Sequence, residues 1–108
     1  MPALIKGHRY LQLAEKFLHY NVDSLAKRYL KRALVKFRKR ILNQPCHSAF
    51  KGVAKVLNHL SPDSEEKKKV DEIVSLFNLN KNTKASLYCA LANQVTQYRE
   101  DYCISPID

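Results

Sequence analysis

Two glycines stand in the 108 residues, and that scarcity limits the possible folds more than any other feature. Tight hairpin turns, bulges and phosphate-cradling loops use glycine for positive φ or for close backbone approach. A chain almost without it has few ways to build them. No stretch alternates apolar and polar residues as a half-buried strand does. Apolar residues recur instead at spacings of three and four, between a few polar or proline-bearing breaks. Apolar types make up 45% of the chain, which suffices for one core at this length without disulfide or metal staples. These features predict an all-α chain, a compact five-helix bundle.

The breaks locate the helices. Tyr10, Leu13, Ala14, Phe17 and Leu18 mark a first helix over about 4–20. A corner at Asn21–Asp23 follows, with Asp23 as the expected N-cap of the next helix. The second helix, 24–43, carries the stripe Ala26, Leu30, Ala33, Leu34, Phe37 and Ile41 and stops before Pro45. Both helices contain an aromatic-Leu-x-x-Ala core (Tyr10 to Ala14, Tyr29 to Ala33), which favours an antiparallel hairpin. A third helix, 47–60, shows Phe50, Val53, Leu57 and Leu60. Ser61-Pro62-Asp63 then has the form of a helix start, with Ser61 as N-cap and Pro62 at the first helical position. Asp63, Glu65 and Glu66 complement the positive end of its dipole. This fourth helix runs through Val70, Ile73, Val74 and Phe77 to a break at 78–82.

The fifth helix, about 83–103, has no charged residue between Ala85 and Tyr98. A helix apolar on so much of its circumference is normally surrounded by others, so it is expected at the centre of the bundle. Residues 1–104 read as one helical domain, with 105–108 a frayed tail. Cys46, Cys89 and Cys103 are odd in number and lack any paired spacing, which favours a reducing nuclear or cytoplasmic setting. Cys89 is expected in the core. No apolar run nears the ~18–20 residues of a membrane span, so no membrane insertion is expected.

The net charge of +9 is unevenly placed. Residues 1–60 carry 13 Lys or Arg against two acids, a net of +11; residues 61–108 carry six against eight, a net of −2. Eight cations fall between Lys27 and Arg40, with Asp23 their sole local counter-charge. At helical spacing Arg28, Arg32 and Lys39 cluster opposite the apolar stripe, and Lys31 and Lys36 occupy the shoulders. Lys27, Arg38 and Arg40 lie nearer the apolar boundary, where long stems cover core edges. Ordinary solvated faces mix signs; this one does not, and an anionic partner would relieve it. Arg28, Lys31, Arg32, Lys36, Lys39 and Arg40 are therefore the expected partner-binding residues. An acidic helical or extended protein segment is the first expectation. Nucleic acid held through phosphates is the alternative, because the exposed positions are Lys and Arg, which position on backbone and specify little. A groove between the second and third helices, with basic walls and an apolar floor, would suit the peptide. Val22, Val35, Val56, Leu76 and Leu79 fall off their helices' main stripes; some are expected to widen the core contact, and these stray apolar residues together with the charge asymmetry motivate the groove.

Catalytic signatures are missing. There is no GxSxG, no glycine-rich phosphate loop and no Walker lysine. The four histidines form no metal-binding pair, and the acids lie at a helix start, on mixed-sign faces or near the end of the chain. No enzyme, cofactor or metal is expected.

Overall fold

The computed structural model describes residues 2–79 and 85–104, with side chains of the last helix from Tyr88 onward. Five helices follow in order: α1 (Ala3–His19), α2 (Asp23–Asn43), α3 (His47–Leu60), α4 (Glu65–Leu79) and α5 (Ala85–Tyr98), the last continuing into a π-helical turn over Arg99–Cys103. The chain is an all-α five-helix bundle, with no strand among the described residues. Thr83, the expected start of the fifth helix, the end of the break at 80–82 and the expected tail 105–108 lie outside the described residues.

The α1–α2 hairpin turns on one residue. Asn21 takes φ 62°, a left-handed conformation that Asn tolerates better than most side chains. Asn21 N–H then donates to Leu18 O (3.1 Å) and Val22 N–H to Phe17 O (2.8 Å). This pair of bonds closes the last turn as a Schellman motif with Asn where glycine usually stands. Asp23 is not the cap. It is already the first helical residue, and Val22 precedes it with no side-chain cap bond.

The second correction concerns the start of α4. Ser61 ends α3, its N–H donating to Leu57 O at 2.7 Å, and α4 begins only at Glu65, so Ser61 stands too far ahead of it to be its N-cap. Ser64 takes that place instead. Its hydroxyl accepts from Lys67 N–H at 3.2 Å and donates to Ser61 O at 2.8 Å. Pro62 and Asp63 form the turn before it.

The α2 stripe is buried as its spacing predicts: Ala26, Leu30, Ala33, Leu34, Phe37 and Ile41 are all in the core. Packing places α2 against α1, α3 and the π-helical turn. The Phe37 ring lies between the chain's two glycines, because a Cβ at Gly7 or Gly52 would stand 2.7 Å or 2.6 Å from its Cε1. Both glycines sit inside helices, where the residue costs roughly 1 kcal/mol relative to alanine. Close approach of α1 and α3 across this ring is what they provide. Phe50, Val53, Val56, Val70 and Ile73 extend the core toward α4.

The centre therefore belongs to α2 and α3. Helix α5 packs chiefly on α4 and the π-helical turn and buries Leu91, Val95 and Tyr98, while Tyr88, Cys89 and Ala92 are exposed. Its uncharged sequence reflects small and tyrosyl residues that tolerate water, not enclosure. Cys89 is correspondingly on the surface.

Candidate docking surface on the second helix

The expected partner residues divide according to their place on α2. Arg28, Lys31, Arg32 and Lys39 are exposed, and Lys36 and Arg40 are half-buried. Arg40 is engaged within its own helix end: Nε donates to Gln44 O at 2.8 Å, satisfying one of the carbonyls that a helix C-terminus leaves without a partner. Arg32 places its guanidinium carbon 5.4 Å from the centre of the Tyr29 ring, and Tyr29 stacks with Tyr10 and Phe17 across the α1–α2 interface. Among the described residues, no ion pair involves Arg28, Lys31, Arg32, Lys36 or Lys39.

One apolar residue interrupts the ridge. Val35 falls between the Arg28–Arg32 pair and Lys39 on the same face, and it is 60% exposed. It lies at the edge of a cleft of about 320 Å³ lined by Val35, Arg38, Lys39, Leu42, Tyr102 and Cys103. This cleft runs between α2 and the π-helical turn, apart from the expected α2–α3 groove. Between α2 and α3 a second cleft of about 250 Å³ is lined by Leu18, Asp23, Lys27, Leu30, His59 and Leu60; Val56, off the expected stripe of α3, is fully buried in the core. Leu76 is half-buried, and Val22 and Leu79 are exposed away from the first cleft.

The far wall of the cleft is tied down by polar contacts that span long stretches of sequence. Arg38 donates Nη2–H to Glu66 Oε1 at 2.5 Å and Nε–H to Oε2 at 3.2 Å, and the Tyr98 hydroxyl donates to the same Oε2 at 2.8 Å. One carboxylate, 9% exposed, thereby joins α2, α4 and α5. Arg99 Nη2–H donates to Leu42 O at 2.6 Å, fixing the π-helical turn to the end of α2. Tyr102 packs on Tyr98 with ring centres 5.0 Å apart. Glu66 was readable from the sequence only as a helix-start carboxylate, and Arg38 only as a boundary cation. Their partners lie 28 and 32 positions away, and no local spacing signals them.

The electrostatics follow from this packing. Burial pushes the Tyr98 hydroxyl far above its ordinary range, and Glu66 adds to the shift. Burial works against the Arg38 charge, but its bond to Glu66 and the carboxylate's field outweigh that cost and hold its pKa above normal. Burial also pushes the Cys103 thiol up to about 11, so the wall it forms is neutral at physiological pH. The cleft thus combines apolar surface from Val35, Leu42 and Tyr102, an uncharged thiol, a guanidinium already paired and the Lys39 ammonium, with the cationic ridge leading into it.

Elsewhere, no three His, Cys, Asp or Glu side chains gather as metal ligands among the described residues, and no described helix is long and apolar enough to cross a membrane. No protein-family model matches this chain, nor does any curated protein or solved structure.

Proposed function

We propose that the chain is a helical interaction module that docks an acidic segment of another protein along the outer face of α2. The observation that carries this is Val35, 60% exposed in the middle of a cationic ridge. A surface made only for phosphates gains nothing from a branched aliphatic at its centre. A protein segment with carboxylates around apolar side chains can use both. Arg28, Lys31, Arg32 and Lys39 supply the charge, and Lys36 flanks them. Three unpaired thiols among the described residues support an intracellular setting, within a larger nuclear or cytosolic assembly. Binding rather than catalysis is supported by Glu66, the buried carboxylate of the described core, whose oxygens are occupied by Arg38 and Tyr98.

The test compares an 18-residue helical peptide bearing four Glu on one face with a DNA duplex and a single-stranded RNA, each at low and physiological salt. The peptide is expected to bind more tightly than either nucleic acid. Arg28→Glu, Arg32→Glu and Lys39→Glu together should weaken it at least tenfold while circular dichroism stays unchanged. If the duplex binds more tightly, with log K falling against log salt at a slope of about −4, the four exposed cations are phosphate contacts and the nucleic-acid alternative replaces this one. Absence of binding to all three would make the ridge a solvated face and refute both.

A further inference from the structure

We infer that the cleft between α2 and the π-helical turn is the anchor pocket of this surface, taking one leucine-sized side chain from an acidic α-helix laid along the ridge. The inference rests on the proposed docking function and specifies the partner's form and the contact that gives it specificity.

The partner's helical form follows from the architecture. The described residues contain no strand edge for an extended segment to add to, and a helix laid in a groove presents its anchors at i, i+3, i+4 and i+7. The ridge from Arg28 to Leu42 is a straight helical face roughly 21 Å long at 1.5 Å per residue. A partner helix of about four turns spans it. Along that length the exposed cations are Arg28, Lys31, Arg32 and Lys39, which complement carboxylates on one face of the partner. Arg38 is not available for that role, because both oxygens of Glu66 already hold it.

The anchor follows from the cleft. At about 320 Å³ it sits at the small end of ligand sites, roughly 300–1,000 Å³, with room for a side chain and not for a large cofactor. Val35, Leu42 and the Tyr102 ring are apolar, and the Cys103 thiol is uncharged. Lys39 stands at the rim, placed to meet a carboxylate one turn from the anchor. The walls are held before any partner arrives: Arg99 donates to Leu42 O, Tyr102 packs tilted against Tyr98, and Tyr98 is fixed by Glu66. A pocket already ordered loses less entropy on binding, and ordered central pockets are where interface energy concentrates.

The experiment uses the four-Glu peptide above as parent, with alanine filling its acidic face, and four variants that each place one Leu at a successive position on that face. At least one Leu variant should bind the protein about 10- to 30-fold more tightly than the parent, because Leu buries about three more carbons than Ala. Val35→Gln, at an exposed site that leaves the core intact, should cut that gain below about threefold. In a Cys46→Ser/Cys89→Ser background, the best Leu peptide at saturation should slow iodoacetamide labelling of Cys103 at least fivefold, and the saturated parent should not. A parent that binds with no gain at any Leu position overturns the pocket and leaves the docking function standing. A gain that survives Val35→Gln, or comes without protection of Cys103, places the anchor elsewhere and overturns it too. Failure of every peptide to bind removes the docking function itself, and the pocket with it.

Discussion

Replacing a helix-interior glycine by alanine ordinarily stabilises a protein, since the helical backbone gains about 1 kcal/mol. Gly52→Ala is expected to do the reverse here. The new Cβ would lie 2.6 and 2.7 Å from Cε1 and Cε2 of Phe37, against an optimal carbon–carbon separation of about 3.5–4.0 Å. The ring would have to retreat by about 1 Å. Its retreat is blocked, because Phe37 is fully buried and Gly7 approaches it from α1, where an added Cβ would stand 2.7 Å away. Both glycines crowd the Cε1–Cζ edge of the ring, so a shift that relieves one contact has to clear the other as well. Overpacking of this kind costs about 1–3 kcal/mol, and the clamp places it in the upper half of that range. After the backbone gain, the net loss is about 1–2 kcal/mol, a fall in Tm of roughly 5–15 °C for a chain of this size. Urea and thermal unfolding followed by circular dichroism give the number. The decisive comparison is a cycle with Phe37→Leu, whose smaller side chain should accept the extra methyl and yield a coupling of at least ~1 kcal/mol. A Gly52→Ala protein more stable than wild type by several tenths of a kcal/mol, with no coupling to Phe37→Leu, would refute the clamp.

Glu66→Ala removes the carboxylate shared by Arg38 and Tyr98; the buried Tyr98 hydroxyl then lacks an acceptor, at about 1–3 kcal/mol. The Arg38 side chain, 30% exposed, turns partly to water and adds less, so a total loss of about 2–4 kcal/mol in denaturant unfolding is expected; a loss under ~0.5 would show that the three groups are not coupled. His8, bonded through Nε2 to Ser48 Oγ at 2.8 Å and edge-on to Phe37, has its pKa lowered from 6.5 by burial and then by Lys55 and Lys51. The folded state thus binds this proton less readily than the unfolded chain. Its stabilisation is complete above about pH 6.5 and falls as pH drops below that value. His8→Gln should accordingly flatten the decline in urea midpoint between pH 7.5 and 5.5, and parallel wild-type and variant curves would overturn this.

Helix positions and the faces that α2 and α3 bury were legible because they depend on local spacing, whereas on α1 Ala14 is buried as expected but Leu13 is 40% exposed and Leu11 takes its place in the core. Phe37 and Ile41 could be placed in the core from the α2 stripe alone, and the basic ridge emerged opposite them by the same geometry. The misplacements share a different cause. Helix α5 looked enclosed because charge was missing from it, yet Tyr88, Cys89 and Ala92 meet water at little cost, and absence of charge is a weaker signal than presence of a stripe. Ser61 matched the cap pattern, but the same residue also ends α3, and only the chain's path decides that Ser64 takes the second role. Glu66 and Arg38 escaped notice because a buried ion pair is defined by a partner in another helix. The two glycines were visible as a scarcity, and their purpose was not, since it requires knowing that α1 and α3 both approach the Phe37 ring closely.

The ridge and the cleft depend on one another through Arg38. Eight cations in fourteen positions of α2 repel, with each like-charged i,i+4 pair costing a few tenths of a kcal/mol, and among the described residues Arg38 is the member of that run that finds a carboxylate. By doing so it draws the start of α4 to α2, and through Tyr98 it draws the end of α5 there as well. The π-helical turn that forms the cleft's far wall is thus held where it is by a cation from the ridge itself. The apolar centre built on Phe37 does not need this contact, because α1, α2 and α3 close around it through Gly7, Gly52 and the α2 stripe. The division has a consequence for binding. Loss of Glu66 should disorganise the anchor wall while leaving Arg28, Arg32 and Lys39 exposed on an intact hairpin, so that general attraction for acidic peptides outlasts discrimination between a Leu and an Ala anchor. Affinity from charge and selectivity from the cleft would then be separable properties of one helix, assigned to different faces of it by the side on which Arg38 emerges.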